Sequence, residues 1–460
     1  VEAAITPRTK ALLIVTPSNP TGGIVTEDRL RAIAEVAIRH DLIVISDEIY
    51  EKFVYDDWHH FSIGSVPGMA ERTITLNGFS KTYAMTGLRV GYAAAPANVV
   101  QAMARVKAVT TGPAATISQR AALAAVTGPV EPYLHWAMGH AMLGMGSGED
   151  AVQAHLHFSG GHGHQHADNL GLILWAKGRE LLSDIGYTHT AWRTWSTRTP
   201  AHNTVTINQA SQSTRGVGGN VTLYAPISDD LQVVEAQSLV AYPDVATEYR
   251  RRIAVIGVSA ADAYVLDIFR VAGGTRHDWA LHGSANYAQT VSVSLPTEPV
   301  EGNLIGPDAE FEYPQSESKP GKFPPGIDPA YVFPKDVAAA QTEEGWSATF
   351  EFAEGPAPHL KVDVLGQPGV QVCTMLSPSI RNAKENDADL PKHFMPSVMV
   401  RRVSEADPLS STFVAIHQPY TDTPFIRSVT HLLPTPDVAG PVGLRVEHDG
   451  GVPNAVAVAQ

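Results

Sequence analysis

The feature that most constrains this chain is a single change of rhythm in its apolar residues. Up to about residue 127, short apolar runs alternate with stretches of helical periodicity, the pattern of strands and helices in alternation. Ala11 to Val15 and Leu42 to Ser46 read as buried strands, and Thr73 to Leu76 and Val90 to Ala94 as further ones. Thr26 is placed to cap a helix carrying Asp28 in its first turn and Leu30, Ile33, Ala34 and Ala37 on one face. Two Ala-rich helices, about Ala97 to Val109 and Ala114 to Val126, precede the breakers Thr127, Gly128 and Pro129.

Beyond about residue 150 the period becomes two. Strands are expected at Val152 to Phe158, Thr204 to Asn208, Glu248 to Ile256, Ala263 to Val271, Trp346 to Phe352, Val370 to Leu376, Val398 to Val403 and Thr412 to His417. So many strands with so little helix predict a large antiparallel sandwich. Pro296 to Pro334, rich in Pro, Gly, Glu and Ser, reads as a long exposed excursion. The fold class is therefore multidomain, α/β followed by all-β. The expected boundaries are 1–128 for the first domain, a junction within 129–145, and 146–460 for the second.

Charge and composition remove several functions. Asp and Glu outnumber Lys and Arg by 47 to 33, a net charge of −14, which offers nucleic acid or an anionic membrane nothing to hold overall. No apolar run approaches the roughly 18 residues of a membrane span. The N-terminus lacks a signal-peptide pattern, and Val1 reads as mid-protein sequence. Cys373 is the single cysteine, so neither an intramolecular disulfide framework nor a multi-cysteine metal site is available, and a metal must use His and carboxylate. Nine of the nineteen histidines fall between His135 and His202, which concentrates the candidate chemistry there.

In the first part the groups to notice are Thr16-Pro17-Ser18-Asn19-Pro20-Thr21-Gly22, Asp47-Glu48-Ile49-Tyr50, Ser80-Lys81 and Arg89-Val90-Gly91-Tyr92. In this order they resemble the large domain of fold-type I pyridoxal phosphate enzymes, the aspartate aminotransferase family. The resemblance implies that Lys81 carries the cofactor aldehyde, that Asp47 keeps the pyridine nitrogen protonated, and that Asn19 and Tyr50 tune the phenolic oxygen. It gives the phosphate to Arg89, whose planar guanidinium suits it. The family's upstream phosphate loop, stacking aromatic and C-terminal small domain are not visible here, and Gly78 stands where a serine is often found. A partial large domain is thus expected, with pyridoxal phosphate weakly bound or vestigial, and with homodimerisation only if this half is intact.

In the second part, Ser159-Gly160-Gly161-His162-Gly163-His164-Gln165-His166-Ala167-Asp168-Asn169-Leu170 puts three histidines two residues apart, sharing one face if extended. His166, Asp184 and His202 follow at intervals of 18 residues, a spacing that suits ligands delivered by neighbouring strands, and two imidazoles with a carboxylate favour zinc. The strings from His162 to Leu170, Leu181 to Tyr187 and Thr199 to Val205, with Met399 to His417, resemble the heparinase II/III family of polysaccharide lyases, which includes alginate lyases. That resemblance implies a mainly structural zinc on His166, Asp184 and His202, and an active-site role for His164. It also implies β-elimination in uronate polysaccharides, for which the family draws its key tyrosine largely from an N-terminal toroid that the aminotransferase-like segment replaces here.

Arg193 and Arg198 are candidates to meet an acidic sugar, and Trp192 or Trp195 to stack on it. The more ordinary alternative makes Arg198 a support for the His202 loop and the tryptophans packing. His277 and His282 either line the same cleft or are satisfied structural histidines, and Tyr187 reads as packing.

Together these readings give a lyase-type β domain joined to a truncated aminotransferase segment, as a composite chain or an incomplete fusion. An aminotransferase and a non-catalytic acidic-carbohydrate-binding module are the alternatives. The partner expected is a uronate polysaccharide, not nucleic acid or membrane. The lyase half points to a periplasmic or secreted setting, the aminotransferase half to a cytoplasmic one.

Overall fold

Strand and helix placement follows the change of rhythm closely. The computed structural model describes residues 1–55, 58–83, 85–111, 114–115, 118–119, 121–122, 125, 132–136, 139–159, 166–186, 188, 190–215, 218–314, 321–353, 358–381, 383, 386, 388–405, 408–433, 440–450 and 454–458. It divides into two compact units, Val1–Gly128 and Pro129–Gln460.

In the first unit β1 (Ala11–Val15), β2 (Ile43–Asp47) and β3 (Thr73–Gly78) run parallel in that spatial order, and β4 (Gly91–Ala94) pairs antiparallel with β3. Helix α1 (Glu27–Arg39) lies between β1 and β2 in sequence. It buries Leu30, Ala34 and Ala37, one residue per turn, in a cluster with Ile14, Val44, Ile63 and Met69. Thr26 takes the N-cap position with extended backbone, but its side chain makes no capping hydrogen bond, contrary to the capping expected of it; Glu27 and Asp28 meet the positive helix end instead. Gly78 and Gly91 face each other across β3 and β4, and a Cβ on Gly78 would lie 3.1 Å from the Gly91 Cα. Close backbone approach thus accounts for glycine where the family often has serine.

Helix α2 (Ala97–Thr110) has no buried residue, and its Val109 is 84 % exposed. Leu13 on β1 and Tyr92 on β4 are also open, at 70 and 53 %. Of the expected second Ala-rich helix, 114–126, residues 114–115, 118–119, 121–122 and 125 are described, and 118–119, 121–122 and 125 are helical.

The second unit begins inside the stretch read as a junction. There β5 (Tyr133–His135) and β6 (His140–Met145) start a five-stranded antiparallel sheet completed by β7 (Val152–His157), β8 (Gly171–Ala176) and β9 (Arg179–Leu182). An eight-stranded sheet runs in the order Asn220–Ser228, Leu231–Gln237, Glu248–Gly257, Ala263–Ala272, Ser410–Tyr420, His359–Val364, Trp346–Phe352, Gln289–Val293. A six-stranded sheet has the order Val205–Ile207, Arg276–His282, Phe394–Val403, Val370–Pro378, Lys335–Thr342, Glu298–Pro299. All three sheets contribute to one apolar core, through residues such as Leu156, Phe269, Trp279, Val372 and Phe413. The fold is the large antiparallel sandwich that the alternating pattern predicts.

Ala263–Ala272 is buried on both faces along nearly its whole length. Its outer face is covered by a three-stranded sheet (Ile426–His431, Val442–His448, Asn454–Val458), whose Ile426, Leu444 and Val446 pack on Tyr264, Leu266 and Ile268. Two-sided burial explains why its sequence reads as a continuous apolar run.

The Pro296–Pro334 excursion is only partly exposed, a correction to the sequence reading. A 3₁₀ turn at Pro329–Val332, capped by the Asp328 carboxylate, buries Ala330, Tyr331 and Val332, and the Tyr331 hydroxyl donates to Asp278 at 2.7 Å. A buried phenol that satisfies a buried carboxylate anchors the excursion to the six-stranded sheet. No helix among the described residues is long and apolar enough to cross a membrane.

Candidate functional site

Three loops of the second unit converge. His166 lies between β7 and β8, Asp184 just after β9, and His202 after a 3₁₀ turn (Thr199–Ala201) that leads into strand Val205–Ile207. One ligand atom from each lies within 4.8 Å of the others. The His202 Nδ1–H donates to Asp184 Oδ2 at 3.0 Å, and the His166 and His202 ring centroids are 5.2 Å apart. His202 Nε2 is buried, and the Ser196 carbonyl is the backbone acceptor that acts on this ring. Two imidazoles and a carboxylate within reach of one another are ligand types that fit a zinc ion.

The electrostatics favour a cation. Burial opposes charge on His202, but the adjacent Asp184 carboxylate outweighs it and raises the imidazole pKa. Burial likewise opposes charge on Asp184, yet His202 and the Gly186 N–H, which donates to Oδ1 at 2.9 Å, hold that carboxyl well below its usual range. His166 is pushed down by burial and then by His202, towards the neutral form a metal needs.

Each ligand loop is fixed through a neighbour of its ligand. Thr199 Oγ1 donates to the carbonyl of Ala167, beside His166, at 2.7 Å. Asn203 Nδ2 donates to the carbonyls of Leu172 (2.8 Å) and Ser183 (3.0 Å), the latter beside Asp184, while its Oδ1 accepts from the His282 N–H. Arg251 Nη1 donates to the carbonyls of Asn203 and Leu170, and its other nitrogens form a two-point ion pair with Asp267 at 2.9 and 2.6 Å. Arg251 and Asp267 are fully buried. Leu170 has φ +59°, a left-handed backbone that costs a branched residue on the order of 1 kcal/mol, and the Arg251 bond to its carbonyl holds it there. The sequence reading missed Arg251. Its signal was parity, since it falls between inward-facing Tyr249 and Ile253 on strand Glu248–Gly257.

The remaining candidates are placed differently. Arg198 pairs with the buried carboxylate of Asp328 at 3.6 Å, and Arg193 opens a short helix with its side chain exposed. Trp192 and Trp195 are buried against Phe333, and the Trp195 indole N–H donates to the Pro378 carbonyl, so neither has a face open for stacking. His277 bonds Ser411 and Gly273, and His282 bonds Ser397 and Pro200, both completely buried as satisfied structural histidines. His164 and Tyr187 lie outside the described residues.

In the first unit Asn19, Tyr50 and Lys81 follow the C-terminal ends of β1, β2 and β3, the side of a parallel sheet where ligands bind. Asn19 Nδ2 donates to the Tyr50 hydroxyl at 3.1 Å, and Lys81 Nζ lies 5.7 Å from the Tyr50 ring centre. The structure therefore brings these three together. Asp47, the last residue of β2, accepts from the Ile49 N–H, and Arg89 donates to the Thr86 carbonyl, so their described bonds are local. Beside them Glu48 is buried, accepting from Ser46, Ser62 and His60. Burial would raise its carboxyl, but these donors hold it below the usual range, as befits a satisfied structural acid.

Comparison with known proteins separates the two parts. The family aminotransferase class I and II matches residues 1–136, and the family heparinase II/III-like, C-terminal, matches residues 137–366, half of the chain. Aromatic-amino-acid aminotransferase 2 of Thermococcus litoralis is 56 % identical over 105 residues, 23 % of this chain and 27 % of that protein. An aspartate aminotransferase of Geobacillus stearothermophilus is 46 % identical over 133 residues, 29 and 34 % respectively. The chain thus spans about a third or less of these relatives. Among solved structures, the heparan sulfate lyase HepC from Pedobacter heparinus aligns over 78 % of this chain and 48 % of its own, with TM-score 0.50 and 15 % identity, a likeness of fold. With an aminotransferase segment in front, the chain belongs to the heparinase II/III-like family through its C-terminal β domain.

Proposed function

We propose that the second unit is the β domain of a lyase acting on uronate polysaccharides such as alginate or heparin-like glycans, built around a structural zinc held by His166, Asp184 and His202. The observation that carries this is the convergence of those three side chains, one ligand atom from each within 4.8 Å of the others, inside a domain of this family. Bound zinc supplies folding energy by tying three loops together. The chain's own residues set that site in advance, since Arg251, Asn203 and Thr199 hold the loops through their carbonyls.

β-Elimination must neutralise the C6 carboxylate, remove the C5 proton and protonate the leaving O4 oxygen. His164 is the proposed proton-transfer residue, exposed Arg193 is the proposed cation for the carboxylate, and Arg198, paired with Asp328, is a second candidate. The proton-transfer tyrosine that the family draws from its toroid has no counterpart in the aminotransferase-like segment. Binding of acidic polysaccharide with slow or absent elimination is therefore the expected behaviour. Alginate, heparan sulfate and hyaluronan are to be incubated with the protein and followed by ultraviolet absorbance of unsaturated uronate. Robust product that survives His164→Ala overturns the role of His164, and failure to bind any uronate polymer overturns the function.

A second reading rests on the Asn19–Tyr50 hydrogen bond and the position of Lys81. Pyridoxal phosphate, when bound, supplies an electron sink. Lys81 would hold its aldehyde carbon, Asn19 and Tyr50 its phenolic oxygen, Asp47 its ring nitrogen and Arg89 its phosphate.

A further inference from the structure

Strand β5 ends the five-stranded sheet, and Asn220–Ser228 ends the eight-stranded one. Between these two edges lies an open cleft of about 600 Å³ whose walls include Tyr133, Trp136, Val221, Thr222 and Tyr224. That volume is in the range of small-ligand sites. Trp136 is 67 % exposed, so its ring face is open to a ligand in the cleft. Among the described lining residues none carries a formal charge.

The cleft is continuous with a row of imidazoles. Tyr133 and His135 share one face of β5. His135 is the register partner of His140 on β6, and His140 is the partner of His157 on β7. The Tyr133 ring lies 4.8 Å from His135 and 6.0 Å from His140, and the His140 and His157 rings are 6.3 Å apart. His140 Nε2 and His155 Nδ1 are 3.1 Å apart. His157 Nε2 reaches Asp168 Oδ1 at 3.4 Å, two residues from His166. Steps of about 4.8 Å between strands thus carry the row from the cleft towards the metal centre. Burial keeps His140 and His155 neutral, and His155 bonds His140 at one nitrogen and Gln153 at the other.

We propose that this cleft is a sugar-binding subsite remote from the metal centre. A pyranose ring lies with its C–H face on Trp136 and Tyr224, and the rest of the polysaccharide runs along the histidine row towards His166. This rests on the polysaccharide reading given above and adds to it a second point of attachment. The physical case is that aromatic faces carry partial negative charge and attract the polarised C–H bonds of a sugar ring. An uncharged wall with hydroxyl and imidazole groups at its margin suits a hydroxyl-rich ligand.

Intrinsic tryptophan fluorescence and calorimetry with alginate oligomers of two to twelve units test this in the full-length chain. Wild-type affinity should rise with length once an oligomer spans from the metal centre to the cleft. Trp136→Ala and Tyr224→Ala should each cost the long oligomers about ten-fold, the loss expected of a truncated aromatic anchor, and leave the dimer unaffected. Trp136→Phe should restore most of it, and unchanged zinc content with unchanged dimer affinity shows that the variants fold. Long oligomers that bind both alanine variants as tightly as wild type overturn the subsite. If wild type binds no uronate oligomer, the polysaccharide reading fails by itself. Neutral mannose and glucose hexasaccharides then decide the cleft: quenching that Trp136→Ala abolishes sustains it, and absence of binding refutes it.

Discussion

Asp184 Oδ2 accepts a 3.0 Å hydrogen bond from His202 Nδ1 across two loops separated by 18 residues. The Nδ1 edge of the ring thus faces the carboxylate, and an ion shared by both would take the place of the proton between them. A domain that buries two imidazoles and a carboxylate within reach of one another has built a cation site.

About one zinc per chain should therefore survive dialysis. His166→Ala removes a ligand, so elemental analysis should find the metal lost and calorimetry should find a lower Tm, because a closed site contributes folding energy. Stoichiometric zinc retained in that variant would reject the ligand set.

Arg251 should behave as the keystone of the same loops. In Arg251→Met the buried Asp267 carboxylate keeps only His417, 3.2 Å from Oδ2, and the Leu170 and Asn203 carbonyls lose their donor. Breaking one side of a buried pair costs about 3–5 kcal/mol. Burial pushes the Asp267 carboxyl up, and Arg251 outweighs it to hold the group at about 2, so the variant should also shift this carboxyl upward. Urea unfolding at neutral pH reads the first effect and zinc occupancy the loosened loops. A loss below about 1 kcal/mol, the worth of an exposed pair, would remove Arg251 from that role.

The legibility of these residues in sequence depended on how local their causes are. Strand Trp346–Phe352 and helix α1 follow from spacing within ten or so residues, and their positions could be read directly. His166, Asp184 and His202 could be grouped because their residue types and intervals are themselves the chemistry. Arg251 could not, because its role arises from strands and loops 16 to 81 residues distant. Tyr331 was read as exposed for the same reason, its composition suggesting a loop while Asp278, 53 residues away, draws it inside. Asn220–Ser228 was missed because an edge strand that is mostly half-buried or exposed carries little apolar rhythm.

His277 gives a pH dependence of definite sign. Its Nε2–H donates to the Gly273 carbonyl at 2.7 Å and its Nδ1 accepts from the Ser411 hydroxyl at 2.8 Å, so the neutral ring uses both nitrogens. Burial pulls its pKa down to about 4. The unfolded chain takes up the proton near pH 6.5 while the folded chain does not. The stabilisation is therefore complete above 6.5 and is lost as pH falls to 4, by roughly 3 kcal/mol. In His277→Gln the slope of unfolding free energy against pH in that window should fall by about one proton. An unchanged slope would show that the ring is charged in the fold.

The aminotransferase segment should mark its own lysine. Three parallel strands deliver Asn19, Tyr50 and Lys81 to one end of the sheet, which is enough to favour the cofactor aldehyde at Lys81 over surface lysines. Affinity should nevertheless be poor. Leu13 and Tyr92 are open, α2 buries none of its side chains, and Arg89 is engaged with the Thr86 carbonyl. A ring held on one side only forgoes most of the apolar contact that tight binding requires. Borohydride added after pyridoxal phosphate fixes the cofactor to the lysine that carries it, and peptide mapping should find the label on Lys81 and lose it in Lys81→Ala. Label scattered over other lysines refutes the half-site. Transamination should be absent, and rapid turnover of an amino acid with 2-oxoglutarate would show that the open face is closed in the working protein.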